Sequence, residues 1–213
     1  MKIAVSFLKS KYDLKKTIEE INKTNADYIH VDVMDGDFVP NISCVYNDVY
    51  KDLLNTNKPL DVHLMVSNPY KFILEYKNIK PCVMTIHSEI EKNIEDLIDL
   101  IHSYNIKAGL SIKPKTNIDG IEKYLNKIEN VLIMSVEPGK GGQKFMDSVI
   151  YKIELLKRLR EENNYNYTIS IDGGINNETI DKVKDVDYVI SGSYICMSDN
   201  YQEKINVLKK VKK

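Results

Sequence analysis

The feature that most constrains the fold of this chain is an alternation of two kinds of segment. Eight short apolar segments are each followed by a stretch in which apolar residues recur at helical spacing. The predicted strands are residues 3–8, 28–33, 60–65, 83–87, 108–112, 131–136, 168–172 and 188–191. The predicted helices are residues 13–24, 47–54, 69–76, 93–104, 118–125, 149–163 and 178–183 and a last one from residue 201. Strands that alternate with helices form a parallel sheet with right-handed crossovers. Eight such units in 213 residues without a composition break predict a single (β/α)8 TIM barrel domain over residues 1–213.

An open, doubly wound sheet is the alternative fold. Helices would then cover both faces of the sheet, and its strands would be apolar on both sides. Several strands here are apolar on one side and polar on the other, which favours the barrel. A dinucleotide-binding fold is also disfavoured, because no GxGxxG motif follows the first strand.

Charge and cysteine content limit the partners and the compartment. The formal net charge is −1, so no long-range field attracts nucleic acid or an anionic membrane. No apolar run approaches the roughly 18 residues of a membrane span. Cys44, Cys82 and Cys196 are far apart and lack CxxC spacing. An odd number of cysteines and no signal peptide predict a cytoplasmic protein in which the cysteines are packing residues.

Two strands repeat a pattern of polar residues on one face. Side chains alternate between the faces of a strand, so His30, Asp32 and Met34 share one face of the second strand. By the same rule Asp61, His63 and Met65 share one face of the third strand. Asp172 ends the seventh strand, and active sites of barrels lie at these carboxyl ends. The candidate ligands, which suit Zn²⁺, Fe²⁺ or Mn²⁺, are His30, Asp32, His63 and Asp172.

Two further histidines are weaker candidates. His87 ends the fourth strand, and we interpret it as a polar loop residue rather than an outer partner of the metal site. His102 lies on a predicted helix, and we interpret it as a surface residue.

Glycine-rich loops follow the last three strands. Glycine lets backbone N–H groups converge on an anion, and the loops after strands seven and eight commonly bind phosphate in this fold. Each loop taken alone could be an ordinary tight turn, but three in succession predict a phosphate site. The expected contacts are Gly139, Gly141, Gly142, Gln143, Gly173, Gly174, Gly192 and Ser193.

A metal site beside a phosphate site predicts chemistry on a phosphosugar. A metal near a carbonyl and a hydroxyl acidifies the adjacent C–H and stabilises the resulting enediolate. Two carboxylates on opposite sides of that carbon could remove a proton from one face and return one to the other, which yields the epimer. Met34, Met65 and Met134 would form a dry, adaptable wall around the intermediate, although each could be ordinary core.

The motifs of the chain resemble those of the ribulose-phosphate 3-epimerase family over nearly its whole length. They read HVDVMDGDFVPN at 30–41, LDVHLMV at 60–66, MSVEPG at 134–139, GGQKF at 141–145, IDGGI at 171–175 and SGS at 191–193. The resemblance implies an isomerase of carbohydrate metabolism that interconverts D-ribulose 5-phosphate and D-xylulose 5-phosphate in the pentose phosphate pathway. It also implies a homo-oligomer, either a dimer or a hexamer.

The same resemblance assigns roles to single residues. One divalent metal, with Zn²⁺ the first choice and Fe²⁺, Mn²⁺ or Co²⁺ as alternatives, is held by His30, Asp32, His63 and Asp172. Asp32 and Asp172 are also the implied acid and base. Ser6 is an implied substrate contact, and we expect His63 and the three methionines to contact the substrate as well.

The chain departs from the family pattern in two loops beside the site. Lys140 stands where the family usually has Phe, and either strengthens anion binding or loosens the loop. The run FLKSKYD at 7–13 replaces a Leu-Ser-Ala-Asp-like run. Neither departure affects a proposed ligand.

Three other functions are the alternatives, and the sequence disfavours the second of them, a lyase. The closest is the same epimerisation on a hexulose phosphate such as allulose 6-phosphate. A lyase of the related phosphate-binding barrels would carry an Asp-x-Lys-x-x-Asp run, and no Lys lies between Asp32 and Asp35. A phosphosugar-binding protein without activity would not need both Asp32 and Asp172.

Overall fold

The strands and helices alternate along the chain much as its sequence predicts. In the computed structural model, residues 1–44 and 46–210 are described. The strands are β1 (Lys2–Ser6), β2 (Tyr28–Asp35), β3 (Ile42–Ser43), β4 (Leu60–Met65), β5 (Val83–His87), β6 (Lys107–Ile112), β7 (Asn130–Met134), β8 (Thr168–Asp172) and β9 (Tyr188–Ser191). The helices are α1 (Leu14–Asn22), α2 (Tyr46–Leu54), α3 (Pro69–Tyr76), α4 (Ile94–Ser103), α5 (Ile150–Glu162), α6 (Ser193–Cys196) and α7 (Tyr201–Lys209).

Eight of the strands close into a parallel barrel. They neighbour one another in the order β1-β9-β8-β7-β6-β5-β4-β2, and β1 also pairs with β2. The short β3 lies outside this circuit and pairs antiparallel to the end of β2, with Met34 opposite Ser43. The predicted (β/α)8 barrel is therefore confirmed.

Two of the predicted helices are 3-10 turns instead. Residues 118–125 form the turns Ile118–Gly120 and Glu122–Tyr124, and the segment 178–183 forms the turn Ile180–Val183. The buried Ile118, Ile121 and Tyr124 are each three residues apart, which matches the three residues per turn of a 3-10 helix. Gly120 also disfavours an α-helix at this point by about 1 kcal/mol.

The two faces of the barrel strands differ in chemistry. The outward side chains, such as Val31, Val62 and Ile133, are fully buried against the surrounding helices and belong to the main apolar core. The inward side chains include a small apolar cluster with Leu132 and Ile190. The remaining buried inward positions are mostly polar, and these residues are Ser6, His30, Asp32, Asp61, His63, Thr85, His87, Ser111, Asn130 and Ser170. The polar interior therefore concentrates side chains that are able to bind a ligand.

None of the helices in the described ranges is both long and apolar enough to cross a bilayer. The three cysteines carry free thiols.

A buried lysine fastens α5 to the loop that follows β6. The Lys152 side chain has no exposed surface, and its Nζ donates to the carbonyl oxygens of Lys113 (2.9 Å), Pro114 (2.9 Å) and Thr116 (2.7 Å). A buried carbonyl without a donor costs free energy, so this ammonium stabilises the loop by satisfying three acceptors at once.

We predict that Lys152→Met lowers the free energy of unfolding. Methionine keeps the aliphatic stem but removes the N–H donors, so the loss should be about 1–3 kcal/mol in urea denaturation. The matched control is Arg158→Met at an exposed position of α5, where we expect a change within about 0.5 kcal/mol. Equal losses in the two variants would contradict the role given to Lys152.

Candidate active site

The pairing of β2 with β4 places the polar residues of the two strands side by side. His30 lies opposite Asp61, Asp32 lies opposite His63, and Met34 lies opposite Met65. The strands are parallel and their inward residues alternate in the same phase, so both polar sets face the barrel interior at its carboxyl end.

The four predicted ligands meet at this end of the barrel. One donor atom each from His30, Asp32, His63 and Asp172 lies within 4.8 Å of the other three. Asp32 Oδ1 is 3.3 Å from His30 Nε2 and 3.3 Å from His63 Nδ1. His30, Asp32 and His63 are buried, and Asp172 is partly exposed toward the cavity above them. Two imidazoles and two carboxylates at this spacing could hold one divalent metal.

Asp32 and His30 each have a second polar partner behind the cluster. Ser6 Oγ donates to Asp32 Oδ2 at 2.7 Å. His30 Nδ1 lies 2.8 Å from Asp61 Oδ2, which also accepts from the Tyr188 hydroxyl at 3.3 Å. This leaves His30 Nε2 buried and without a hydrogen-bond partner among the described residues, and it is aimed at the cluster.

His87 corrects our interpretation from the sequence. It is a fully buried residue at the end of β5, not a polar loop residue. Its Nε2 lies 2.9 Å from His63 Nε2, and its Nδ1 lies 3.0 Å from Glu89 Oε2. His102 on α4 is about one-third exposed and lies 3.0 Å from Glu129, away from the site.

Ser135 holds the end of β8 that carries Asp172. Its hydroxyl donates to the carbonyl oxygens of Asp172 (2.8 Å) and Gly173 (2.7 Å), and its own N–H donates to the first of these (2.7 Å). Asp172 therefore projects from a backbone that the residue directly after β7 holds in place.

The surroundings drive the pKa values of the two carboxylates apart. Burial alone would raise the pKa of Asp32, but the imidazoles of His30 and His63 lower it well below its usual range. Burial, followed by the charge of Asp32, raises the pKa of Asp172. Burial alone would lower the pKa of His30, but the carboxylates of Asp61 and Asp32 raise it well above its ordinary value. The pair thus favours one ionised and one protonated carboxyl group.

The pKa values of the other two buried imidazoles are lowered. Burial is the main cause for both, and it lowers the pKa of His87 to about 4. Burial therefore favours the neutral forms of His63 and His87.

A cavity of about 760 Å³ opens above the carboxylates. Most of the predicted substrate contacts line it, and these residues are Ser6, Met34, Met65, Met134, Gly139, Gly141, Gly142, Gln143, Gly173, Gly174, Gly192 and Ser193. Asp32 and Asp172 also line the cavity. His63 is fully buried and is not among the lining residues, so its predicted contact with the substrate stays a prediction.

The glycine loops meet on the far wall of this cavity. At Gly174 (φ +65°) a Cβ atom would lie 2.5 Å from the backbone N of Phe145, so only glycine fits the close approach of the two loops. The backbone N–H groups of Gly142, Gly174 and Ser193 make no hydrogen bond to other described residues. They are free to bind an anion in the cavity.

Three polar side chains shape the mouth of the cavity beside these loops. The Gln143 side-chain amide donates to the carbonyl oxygens of Glu137 (2.6 Å) and Lys140 (2.8 Å), which closes the loop on itself. Lys140 is exposed. Lys9 reaches the same loop, because a Cβ atom on Gly142 would lie 3.2 Å from its Nζ. Positive charge therefore lies beside the free N–H groups.

Sequence reasoning missed the residues behind the ligands. Asp61 shares the inward phase of His63, and His87 and Glu89 stand two residues apart at the end of a strand. The sequence pattern thus shows that Asp61 lies on the inward face of its strand and that His87 and Glu89 lie at the end of theirs. It does not tell which side chain on the neighbouring strand each one meets, because that depends on the register of the sheet.

Comparison with known proteins agrees with this geometry. The ribulose-phosphate 3 epimerase family matches residues 2–196. A ribulose-phosphate 3-epimerase of Helicobacter pylori is 38% identical over 215 residues, which cover 100% of this chain and 98% of the relative. A ribulose-phosphate 3-epimerase of Bacillus subtilis is 38% identical over 181 residues, which cover 84% and 83% of the two chains.

Solved structures support the fold alone. A crystal structure of KGPDC from Streptococcus mutans has a TM-score of 0.69 at 14% identity, and the match covers 98% of this chain and 95% of that one. The match to the family model and the sequence identity to family members also show the family, since both extend over most of the chain. The sequence therefore resembles its relatives along the same barrel that carries the cavity and the His/Asp cluster, and we conclude that this chain is an epimerase of the ribulose-phosphate 3-epimerase family.

Proposed function

We propose that this chain epimerises D-ribulose 5-phosphate at C3 to D-xylulose 5-phosphate, a reaction of the pentose phosphate pathway. The observation that carries the proposal is the pair Asp32 and Asp172, two carboxylates that line one cavity beside two buried imidazoles. The names of the relatives support the choice of substrate.

The proposed cofactor is one divalent metal held by His30, Asp32, His63 and Asp172. The cluster fits a metal because it has both nitrogen and carboxylate donors, and because His30 Nε2 is buried without another partner in the described part of the chain. We propose Zn²⁺ first, with Fe²⁺, Mn²⁺ and Co²⁺ as alternatives. When bound, the metal would polarise the oxygens next to the reacting carbon and make its C–H more acidic.

Asp32 and Asp172 would move the protons. In the forward direction an ionised Asp32 takes the C3 proton from one face of the substrate, and a protonated Asp172 returns a proton to the other face. In the reverse direction the two residues exchange roles. The opposite pKa shifts of the two groups support this division. The buried Met34, Met65 and Met134 would keep water away from the intermediate.

The loops after β7, β8 and β9 would bind the phosphate. The free N–H groups of Gly142, Gly174 and Ser193 are suitable donors, and Lys9 and Lys140 add positive charge at the mouth. A phosphate bound there would hold the sugar so that its reacting carbon lies over the two carboxylates.

Several wider properties belong to the same proposal. We propose a single barrel domain over residues 1–213 that acts on a small phosphosugar, without nucleic acid or membrane as a partner. A homo-oligomer, a dimer or a hexamer, is proposed from the family. A cytoplasmic location is proposed because three free thiols suit a reducing compartment.

We predict that the metal-loaded protein incorporates solvent deuterium at C3 of D-ribulose 5-phosphate. Proton NMR in D₂O should show loss of the C3 proton signal together with new xylulose 5-phosphate, because the proton that Asp172 returns comes from solvent. Protein treated with a chelator and dialysed is the control, and we expect it to be inactive until Zn²⁺ is restored.

Three outcomes of this experiment separate the candidate functions. Exchange confined to allulose 6-phosphate would keep the mechanism and change the substrate to a hexulose. No exchange with either sugar, despite bound metal, would contradict epimerisation and favour a binding protein. Full activity in the stripped protein would contradict a role for the metal.

We predict that Asp172→Asn lowers kcat by about 10²–10⁴-fold, because the amide cannot exchange a proton with the substrate. Stopped-assay kinetics would measure the loss, and circular dichroism would verify the fold. Asp181→Asn, at an exposed position of the turn after β8, is the matched control and should keep full activity. Near-normal turnover in the Asp172 variant would contradict the two-carboxylate mechanism.

A further inference from the structure

In each imidazole of the proposed metal site, one ring nitrogen faces the cluster and the other, here called the outer nitrogen, lies within hydrogen-bond distance of another side chain. His30 turns its Nδ1 to Asp61 and leaves Nε2 facing the cluster. His63 does the reverse, because its Nε2 meets His87 and its Nδ1 faces Asp32. A nitrogen that binds a metal must carry a free lone pair, so the proton of each ring has to sit on the outer nitrogen.

For His30 the outer partner decides this directly. Asp61 is a carboxylate and accepts the Nδ1 proton, the arrangement that fixes many metal-binding histidines. For His63 the partner is another imidazole, which can either donate or accept. The state of His63 therefore depends on what lies behind His87.

Glu89 lies behind His87. We propose that Glu89, acting through His87, positions the proton of His63 on Nε2 so that its Nδ1 lone pair faces the metal. This inference rests on the metal site of the proposed function. The Glu89 carboxylate accepts from His87 Nδ1 at 3.0 Å, so His87 Nε2 has no proton and accepts the Nε2 proton of His63 at 2.9 Å. Glu89 and His87 are positioning residues in this scheme.

Without that carboxylate the other arrangement is favoured. Asp32 Oδ1 lies 3.3 Å from His63 Nδ1 and, when ionised, attracts a proton to that nitrogen. A proton there would occupy the position of the metal. The shorter hydrogen bonds through His87 oppose this weaker attraction, because hydrogen bonds weaken with distance.

The orientation of Glu89 is itself fixed. Its Oε1 accepts from the backbone N–H of Lys113 at 2.7 Å and from the Thr116 hydroxyl, which leaves Oε2 for His87. The rings are also held, since His63 and His87 stack with centroids 5.0 Å apart and Phe38 packs on His87 at 4.7 Å. The network therefore has little freedom to rearrange.

The substitution Glu89→Gln tests this positioning role directly, because it should reverse the direction of the hydrogen bonds through His87. The backbone N–H of Lys113 can only donate, so the amide oxygen of the new side chain stays with it and the NH₂ group faces His87 Nδ1. His87 Nδ1 must then accept, its Nε2 must donate, and the proton of His63 moves to Nδ1. One isosteric change thus reverses two hydrogen bonds, and it adds one from His63 Nδ1 to Asp32 without removing a side chain.

The first readout is ¹⁵N NMR of the imidazoles in the metal-free protein. The chain has 4 histidines, so each spectrum can be assigned by single substitutions. We expect the protonated nitrogens to be His63 Nε2 and His87 Nδ1 in the wild type, and His63 Nδ1 and His87 Nε2 in E89Q. Unchanged positions in E89Q, or a wild-type proton on His63 Nδ1, would overturn the inference.

The second readout is Zn²⁺ affinity, measured by competition with a chromophoric chelator. We expect E89Q to bind Zn²⁺ about 10–100-fold more weakly, the usual cost of losing an outer partner of a metal ligand. Thr116→Val is the matched control, because it removes the other side-chain bond to Glu89 and keeps the carboxylate. An equal loss in both variants would reduce Glu89 to a structural role and overturn the inference.

A second pair of variants serves if E89Q does not fold. His87→Gln can still accept from His63 and donate to Glu89, whereas His87→Leu can do neither. We expect the first to keep most of the Zn²⁺ affinity and the second to lose it, and equal affinities would overturn the inference. Wild-type protein that binds Zn²⁺ but does not epimerise would contradict the proposed function and leave this inference intact.

Discussion

The parallel register between β2 and β4 is the constraint on which the site depends. It places His30 beside Asp61 and Asp32 beside His63, so one strand pair supplies three candidate ligands and one of their outer partners. A shift of one residue would turn every inward side chain of a strand toward the helices. The aliphatic residues between the polar ones, such as Val31 and Val62, oppose such a shift because they are buried on the outer face.

The barrel interior buries several carboxylates and imidazoles, and the contacts among these side chains offset the free-energy cost of burying them. Buried carboxylates and imidazoles are unfavourable unless each has a partner. Here the Ser6 hydroxyl and the nearby imidazoles of His30 and His63 favour the ionised form of Asp32, whereas burial and the charge of Asp32 favour the neutral form of Asp172. Asp32 and Asp172 thus differ in pKa, although they are the same type of residue, because the strands of the barrel give them different neighbours.

The sequence predicts the barrel and the polar inward faces of β2 and β4 well because both follow from short-range periodicity. Alternation with period two identifies the inward face of β2 and β4, and the order of strands and helices identifies the parallel fold. It predicts less well what depends on contacts between distant segments. The burial of His87 follows from its meeting with His63 across β4 and β5, and the 3-10 turn at Ile118–Gly120 follows from how the connection packs on the barrel. Metal binding and the acid/base roles remain predictions.

The barrel cannot close during synthesis until β9 has left the ribosome. β1 pairs with both β2 and β9, and the loop after β9 supplies one wall of the cavity that Ser6 also lines. A chain emerging from the ribosome can form the β2–β4 pair early, but β1 and β8 keep unpaired edges until β9 has been synthesised. The site is therefore completed only after β9 and the loop that follows it have been synthesised, and shorter chains expose strand edges that favour association with one another.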